Sequence, residues 1–192
     1  RADVVRPAEP PPDRAYYAVT QRGGETAVAI AVGPPPPLAF TMPRVSDGMA
    51  QNAALAICAA WRLGVPRDVL QSRLSSWHAG ALRGEVRRTG DRLLYIDCYN
   101  ANPASMADAL AAFQGIAPAS AARLYILGGM EELGPEAPSH HRALGRLLEL
   151  RPADRVLVTG PFSGEVLAGL REAGAGPGQG GDRPVGGQGG VQ

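Results

Sequence analysis

The chain contains no lysine, because every one of its 19 basic residues is arginine. The lysine-containing phosphate loop of many nucleotide-binding proteins, G-x-x-x-x-G-K-[ST], is therefore absent from these 192 residues. The 19 basic residues are matched by 18 acidic ones, which gives a formal net charge of +1. Such a balance does not favour nucleic acid or an anionic membrane as a partner, so it indicates a small-molecule ligand.

Cysteine is also scarce, since Cys58 and Cys98 are the only two, and two cysteines cannot build a disulfide framework. No apolar run approaches the roughly 20 residues that a membrane-spanning helix needs. No signal peptide is recognisable at the start of the chain. Together these absences predict a protein of the reducing cytoplasm.

Both ends of the sequence have unusual composition. No initiator methionine precedes Arg1, and the proline-rich run PAEPPPDR that follows is unsuited to regular structure. Residues 172–192 contain nine glycines in 21 positions and have no hydrophobic periodicity. We therefore expect a disordered glycine-rich tail at 172–192 and a chain that is truncated at both ends.

Residues 1–80 form the first predicted domain, which begins with β structure. Two β-prone runs, YYAVT and TAVAIAV, flank the loop QRGGE, whose paired glycines suit a hairpin. Four prolines at 34–37 follow the second run. Because proline has no backbone N–H to donate, we expect this run to end the sheet.

Two helices are predicted to complete the first domain. Residues 46–63 are alanine-rich and apolar on nearly every side, which is typical of a fully buried helix. Gly64 suits the stop after this helix. Pro66 then begins a shorter helix, in which Leu70 and Leu74 recur on one face.

The second predicted domain, residues 81–171, alternates strands with helices. The strand-like segments RLLYID, ARLYILGG and DRVLVTG alternate with the helix-like segments PASMADALAAF and SHHRALGRLLEL. This alternation is typical of an α/β fold, in which a parallel sheet is flanked by helices. Ligands of such sheets bind beyond the carboxyl ends of the strands, so the loops there are the candidate site.

The loop after the first of these strands carries four polar residues, Asp97, Tyr99, Asn100 and Asn102. A carboxylate at a strand end can accept hydrogen bonds from a ribose diol. An aromatic ring with nearby amides can stack on a purine and bond its edge. The same residues also suit turn chemistry, and Asn102 can cap a helix that starts at Pro103.

The loop after the second strand, LGGMEELG at 127–134, is rich in glycine and carries Glu131 and Glu132 side by side. Paired acids can bind a cation or an ammonium group, although a solvated surface pair is the commoner outcome. His141 follows in the next helix, where a histidine is more often structural than catalytic. The spacing of Cys98 from histidine and asparagine does not support a nucleophile. We assign no catalytic residue and no metal ligand from the sequence.

Taken together, these segments resemble the Mur ligase family. The motifs are, in order, QNAALAICAAWRLGV, RGEV, DCYNANPASM, GGMEELG and HRALG, within residues 46–160. They are most similar to the branch of the family that adds D-alanyl-D-alanine, and YNANP is the most specific element. The resemblance implies the last part of a central ATPase domain at 1–80 and a Rossmann-like C-terminal domain at 81–171.

The resemblance implies an ATP- and Mg²⁺-dependent ligase of peptidoglycan precursor synthesis. Its substrates would be UDP-N-acetylmuramoyl-tripeptide and D-alanyl-D-alanine, joined through an acyl phosphate. Its partner would be the missing N-terminal part of the same enzyme, which would hold the phosphate loop, so this chain should be inactive alone. Two alternatives remain open: a sister ligase for another amino acid, and a non-catalytic nucleotide-binding or interaction module derived from such a ligase.

The resemblance also implies which residues contact the nucleotide. Asn52 would contact adenine, Arg83 would reach toward the phosphates, and Asp97 would hold the ribose. The full set of implied nucleotide-binding residues is Asn52, Arg83, Asp97, Tyr99, Asn100 and Asn102. The weaker candidates for substrate binding are Glu131, Glu132 and His141.

The chain departs from the family's pattern at several positions. Gly48 and Met49 stand where the family has a histidine and an asparagine, and Gly129 stands where it has an aspartate. The non-catalytic alternative depends on these departures, because Asn52 and Asp97 are retained beside them.

Overall fold

The computed structural model describes residues 16–32 and 36–182. The chain divides into two compact units, one ending at Gly80 and one beginning at Ala81. The first unit contains β1 (Tyr16–Arg22), β2 (Glu25–Ala31), β3 (Leu38–Pro43), α1 (Asp47–Arg62) and α2 (Arg67–Ser75). The second contains β4 (Glu85–Thr89), β5 (Arg92–Ile96), α3 (Pro103–Ile116), β6 (Leu124–Leu127), a short 3-10 helix (Gly134–Glu136), α4 (Ala137–Arg146), β7 (Arg155–Val158), α5 (Ser163–Glu172) and β8 (Gly180–Asp182).

An antiparallel sheet in the order β1–β2–β3 forms the base of the first unit. The predicted hairpin is confirmed: Arg22 pairs with Glu25, and Gly23 between them has a φ of +57°, which glycine adopts without strain. Every second residue of β2 is buried, as expected of a strand with one covered face. The core of the unit forms between this face and the two helices: Val28, Ile30, Phe40, Met42, Ala54, Ile57 and Leu70.

The prediction that the proline run ends this sheet is wrong. β3 follows the run and pairs antiparallel with β2, from Ile30 opposite Leu38 to Glu25 opposite Pro43. The run lies in the connection before the strand, where the sheet needs no N–H donor, so the prolines do not prevent pairing. Residues 33–35 lie outside the described part of the chain.

α1 begins and ends as predicted but is not fully buried. The Ser46 hydroxyl oxygen accepts a hydrogen bond from the N–H of Met49 at 3.3 Å, and Gly64 has a φ of +84°. Only Ala50, Ala54 and Ile57 are buried along the helix. One sheet covers only one side of α1, and alanine exposes little apolar surface on the other sides.

The second unit has the predicted α/β fold. β6, β7 and β8 form a parallel sheet, and α3, α4 and α5 contribute to the core on one of its faces. Tyr125 and Leu127 of β6 point into this core, whereas Leu124 and Ile126 are exposed. No helix in the described ranges is long and apolar enough to cross a membrane.

Two predictions about this unit are wrong. The segment RLLYID was expected in the parallel sheet, but β5 pairs antiparallel with β4 through a tight turn at Gly90 and Asp91. β8 belongs to the predicted disordered tail, yet it pairs parallel with β7. A Cβ at Gly180 would lie 2.8 Å from a methyl carbon of Leu167, so the glycine, which had suggested disorder, lets this strand lie against α5. Residues 183–192 lie outside the described ranges.

A buried ion pair holds the amino ends of β6 and β7 together. Arg123 Nη2 lies 2.5 Å from Asp154 Oδ2, and Asp154 is completely buried. The Asp154 carboxylate also accepts the N–H groups of Arg123 and Arg151, each at 2.8 Å. These bonds compensate the desolvated charge and anchor the edge of the sheet opposite the candidate site.

Candidate functional site

The loops after β6 and β7 enclose a cavity of about 540 Å³ at the carboxyl edge of the parallel sheet. Gly160 has a φ of +107°, and a Cβ there would lie 3.5 Å from the backbone nitrogen of Gly129. The two loops therefore approach each other through glycine backbone. The lining residues are Gly129, Met130, Glu131, Glu132, Leu133, Gly134, Ala137, Thr159, Gly160, Pro161 and Phe162.

Both candidate glutamates line this cavity and are exposed. Glu132 has a φ of +61°, in the left-handed region that residues other than glycine seldom occupy. Such a conformation costs about 1–3 kcal/mol and persists where the surrounding structure enforces it. The strained backbone therefore orients an acidic side chain at the margin of the cavity.

His141 lies beneath the cavity and is only 1% exposed. Its Nε2 accepts a hydrogen bond from the N–H of Met130 at 2.9 Å, and its Nδ1 donates to the carbonyl oxygen of Ala137 at 2.7 Å. The ring also packs on Phe162, with centroids 4.7 Å apart and planes 32° apart. Both ring nitrogens are thus bonded to the backbone of residues that line the cavity.

A second polar cluster forms where β4 begins and β5 ends. The guanidinium carbon of Arg83 lies 3.7 Å from the centroid of the Tyr99 ring, in a cation–π contact. The N–H groups of Cys98 and Tyr99 both donate to the carbonyl oxygen of Leu82, at 2.9 and 3.2 Å. Leu82 itself has a φ of +62°. These bonds fix the residue before Arg83 against the loop that carries Tyr99.

Asp97 lies beside this contact, and its pKa is raised above the ordinary value. Partial desolvation of the carboxyl contributes most to the shift, although much of the Asp97 side chain remains exposed, and the negative charge of Asp108 adds to it. The N–H of Gly84 and the charge of Arg83 act in the opposite direction. Burial, followed by the negative charges of Asp97 and Asp108, also raises the pKa of Tyr95. The site therefore holds a carboxylate that further hydrogen-bond donors would stabilise.

The two asparagines of the loop take part in local bonding. The side-chain oxygen of Asn100 accepts the N–H of Ala101 at 2.8 Å. The side-chain oxygen of Asn102 accepts the N–H of Ser105 at 2.9 Å, and the Ser105 hydroxyl accepts the Asn102 N–H at 3.1 Å. This capping box confirms that Asn102 starts α3 with Pro103 at the first helical position.

The predicted nucleotide-binding residues belong to both units. Arg83, Asp97 and Tyr99 form one cluster in the second unit, whereas Asn52 lies on the exposed side of α1 in the first unit. Sequence reasoning missed the segment 159–162, although a glycine directly after the β-prone run VLVT was an available signal. In the described ranges, no three His, Cys, Asp or Glu side chains converge as a metal site.

Known proteins are similar to this chain in sequence and in fold. The UDP-N-acetylmuramoyl-tripeptide–D-alanyl-D-alanine ligase of Treponema pallidum is 36% identical over 112 residues, covering 58% of this chain and 24% of that protein. MurF from Acinetobacter baumannii superposes with a TM-score of 0.70 at 23% identity, over 88% of this chain and 35% of that one. MurF from Thermotoga maritima, solved in complex with ADP, gives 0.65 at 20% identity, over 88% and 42%.

At these identities the two solved structures show a shared fold only, while the sequence comparisons show kinship. The chain spans about a quarter of the length of the Treponema ligase. Residues 82–184 match the family model described as "Mur ligase, glutamate ligase domain", and they include both the cavity and the Arg83–Tyr99 contact. Since this match extends over more than half of the 192 residues, the chain belongs to the Mur ligase family.

Proposed function

We propose that the chain is part of an ATP-dependent ligase that joins D-alanyl-D-alanine to UDP-N-acetylmuramoyl-tripeptide in peptidoglycan synthesis. Members of this family are ATP-dependent ligases, and the Treponema relative is named for this activity. The observation that carries the proposal is the cluster of Arg83, Asp97 and Tyr99 inside the matched region. The first unit would be the end of the central ATPase domain, and the second the C-terminal domain.

Arg83 is suited to a contact with nucleotide phosphates. Stacking on Tyr99 uses the flat face of the guanidinium, whereas its N–H donors lie in the guanidinium plane. The contact therefore orients the charge and leaves the hydrogen-bonding edge for an anion. Tyr99 is 63% exposed, so a ligand can approach this pair from solvent.

Asp97 is suited to the ribose of the nucleotide. Burial and Asp108 disfavour its ionised form, and the two hydroxyl donors of a ribose diol would offset that penalty. In this proposal, Asn100 and Asn102 support the site mainly through the loop and the cap that they stabilise. Asn52 would contribute an adenine contact from the first unit.

The proposed reaction proceeds in two steps. A carboxylate oxygen of the tripeptide attacks the γ-phosphorus of ATP, which releases ADP and forms an acyl phosphate. The amine of D-alanyl-D-alanine then attacks the acyl carbon, the C–O bond to phosphate breaks, and the amine loses a proton as the amide forms. Arg83 would offset negative charge that accumulates during phosphoryl transfer.

The chain cannot supply every group that this reaction needs. It has no lysine, so the phosphate loop of the proposed enzyme must come from residues outside this sequence, and the isolated chain should show no turnover. Mg²⁺ would neutralise phosphate charge in such a ligase. The described residues present no set of three acidic, His or Cys side chains for it, so the proposal assigns Mg²⁺ no ligand here.

The proposal is tested in the longer ligase that contains this sequence. Formation of the pentapeptide product from ATP, UDP-N-acetylmuramoyl-tripeptide and D-alanyl-D-alanine is measured for wild type, Arg83→Ala and the control Arg88→Ala. Arg88 is an exposed arginine on β4. Loss of Arg83 should lower kcat/KM by about 100-fold or more, as removal of a charge-stabilising donor does, while the control stays near wild type.

Two results would contradict the proposal. One is a wild-type enzyme whose ATP hydrolysis does not depend on D-alanyl-D-alanine. The other is an Arg83→Ala variant with the same kinetics as Arg88→Ala. Replacing D-alanyl-D-alanine by other amino acids in the same assay tests the sister-ligase alternative.

A further inference from the structure

His141 is a deeply buried polar side chain to which the proposed reaction assigns no role. A buried polar group is costly unless it is hydrogen-bonded, and here both ring nitrogens have backbone partners. Those partners, Met130 and Ala137, both line the cavity. Phe162, the aromatic partner of the ring, lines it as well.

The three partners come from three different segments of the chain. Met130 follows β6, Ala137 begins α4, and Phe162 follows β7. The imidazole therefore connects both strand-end loops with the helix between them. A shift of Met130 would also move Gly129, whose backbone lies against Gly160 on the other loop.

The bonding pattern determines which nitrogen carries the proton. The carbonyl oxygen of Ala137 can only accept, so Nδ1 must donate to it. The N–H of Met130 can only donate, so Nε2 must accept and be unprotonated. The geometry requires the neutral ring in its Nδ1–H tautomer, because a proton on Nε2 would point at another N–H.

We infer that His141 is a positioning residue that holds the Met130 backbone and thereby keeps the cavity shaped for a ligand of the ligase reaction. The shaping of the loop stands on the contacts above, whereas its use by a ligand rests on the proposed function. His141 does not contact the ligand in this role. It acts through the hydrogen bond from Met130 to Nε2.

Two amide variants, His141→Gln and His141→Asn, separate this hydrogen bond from simple packing. In His141→Gln, the side-chain oxygen can reach the position of Nε2 and accept from Met130. In His141→Asn, the shorter side chain reaches only the position of Nδ1, so it can donate to Ala137 but cannot accept from Met130. Both variants lose the contact of the ring with Phe162, so that loss is matched between them. His140→Gln, at the adjacent and less buried position, is the control.

The first measurement uses ¹⁵N-labelled chain and requires no activity. Imidazole nitrogen shifts should identify the Nδ1–H tautomer of His141 in the wild-type protein. The Met130 amide should be protected from hydrogen exchange in wild type and His141→Gln, and about tenfold or more less protected in His141→Asn. An Nε2–H tautomer, or equal Met130 protection in both variants, would overturn the inference.

The second measurement uses the longer ligase and the kinetics of product formation. His141→Gln should stay within about threefold of wild type in kcat/KM, whereas His141→Asn should lose about tenfold or more at a similar melting temperature. Equal losses in both variants would show a packing role instead. A wild-type enzyme without D-alanyl-D-alanine-dependent turnover would refute the proposed function, while the tautomer and the Met130 protection would still decide the positioning of the loop.

Discussion

Asp97 carries a charge that its surroundings disfavour, and this has a consequence for stability. Its pKa is raised above 3.8, chiefly by burial and then by Asp108. The folded protein therefore binds this proton more tightly than the unfolded chain does. The contribution of Asp97 to stability should rise as the pH falls from neutral through the raised pKa toward 3.8.

Asp97→Asn removes this ionisation while keeping the shape of the side chain. We expect the variant to be at least as stable as wild type at pH 7 and to lack the Asp97 part of the stability gain on acidification. Urea unfolding at pH 7 and at about pH 5 measures both effects. Asp91→Asn, at the exposed turn between β4 and β5, is the matched control. A variant clearly less stable than wild type at pH 7 would contradict the assignment.

The same substitution should weaken nucleotide binding if Asp97 holds the ribose. An asparagine amide keeps one acceptor oxygen but loses the charge that strengthens its hydrogen bonds. A residue that lowers stability in the free protein while it supports ligand binding is typical of a functional site. Asp154 shows the opposite case, because Arg123 and two backbone N–H groups outweigh its burial and lower its pKa.

α4 and α5 pack against each other through glycine backbone. A Cβ added at Gly145 would collide with the carbonyl oxygen of Val166, and one at Gly169 would collide with that of Arg142. Backbone atoms cannot rotate away, so the helices would have to separate. Salt bridges from Arg142 and Arg146 to glutamates of α5 surround this contact at the surface.

Gly145→Ala should therefore destabilise the second unit by about 1–3 kcal/mol, as overpacking does. Gly164→Ala is the matched control, because nothing lies within 4 Å of a Cβ at that helical position. The control should be neutral or up to about 1 kcal/mol more stable, since alanine favours the helix. Denaturant unfolding compares the two variants. Equal stability would mean that the helices are not in close contact at Gly145.

The two units have separate hydrophobic cores, one around Phe40 and one around Val156. A domain with its own core can unfold as a separate cooperative unit. We expect Gly145→Ala to accelerate amide hydrogen exchange in β6, α4 and α5 without changing exchange in β1–β3. Hydrogen exchange read by mass spectrometry measures both regions in one sample. An equal loss of protection in β1–β3 would show that the chain unfolds as one cooperative body.

Neighbouring residues alone were enough to predict much of this molecule. The glycine turn of the first hairpin, the Gly64 stop after α1 and the Asn102–Pro103 helix start all depend on backbone preferences of a few adjacent residues. The order of short motifs was likewise sufficient to indicate the Mur ligase family, which the match to residues 82–184 confirms.

Contacts between residues distant in the chain decided the rest. β3 pairs with β2 although a proline run precedes it, and β8 pairs with β7 although it is rich in glycine. β5 pairs with β4 rather than with the parallel sheet. Strand pairing depends on which strand edges lie next to each other in the folded chain. His141 was a weak substrate-binding candidate, implied only by the family resemblance, and its contacts with Met130, 11 positions away, and with Phe162 could not be read from the sequence. Periodicity and caps act locally, whereas edge pairing and the burial of a polar ring are set by the packed core, which no single segment encodes.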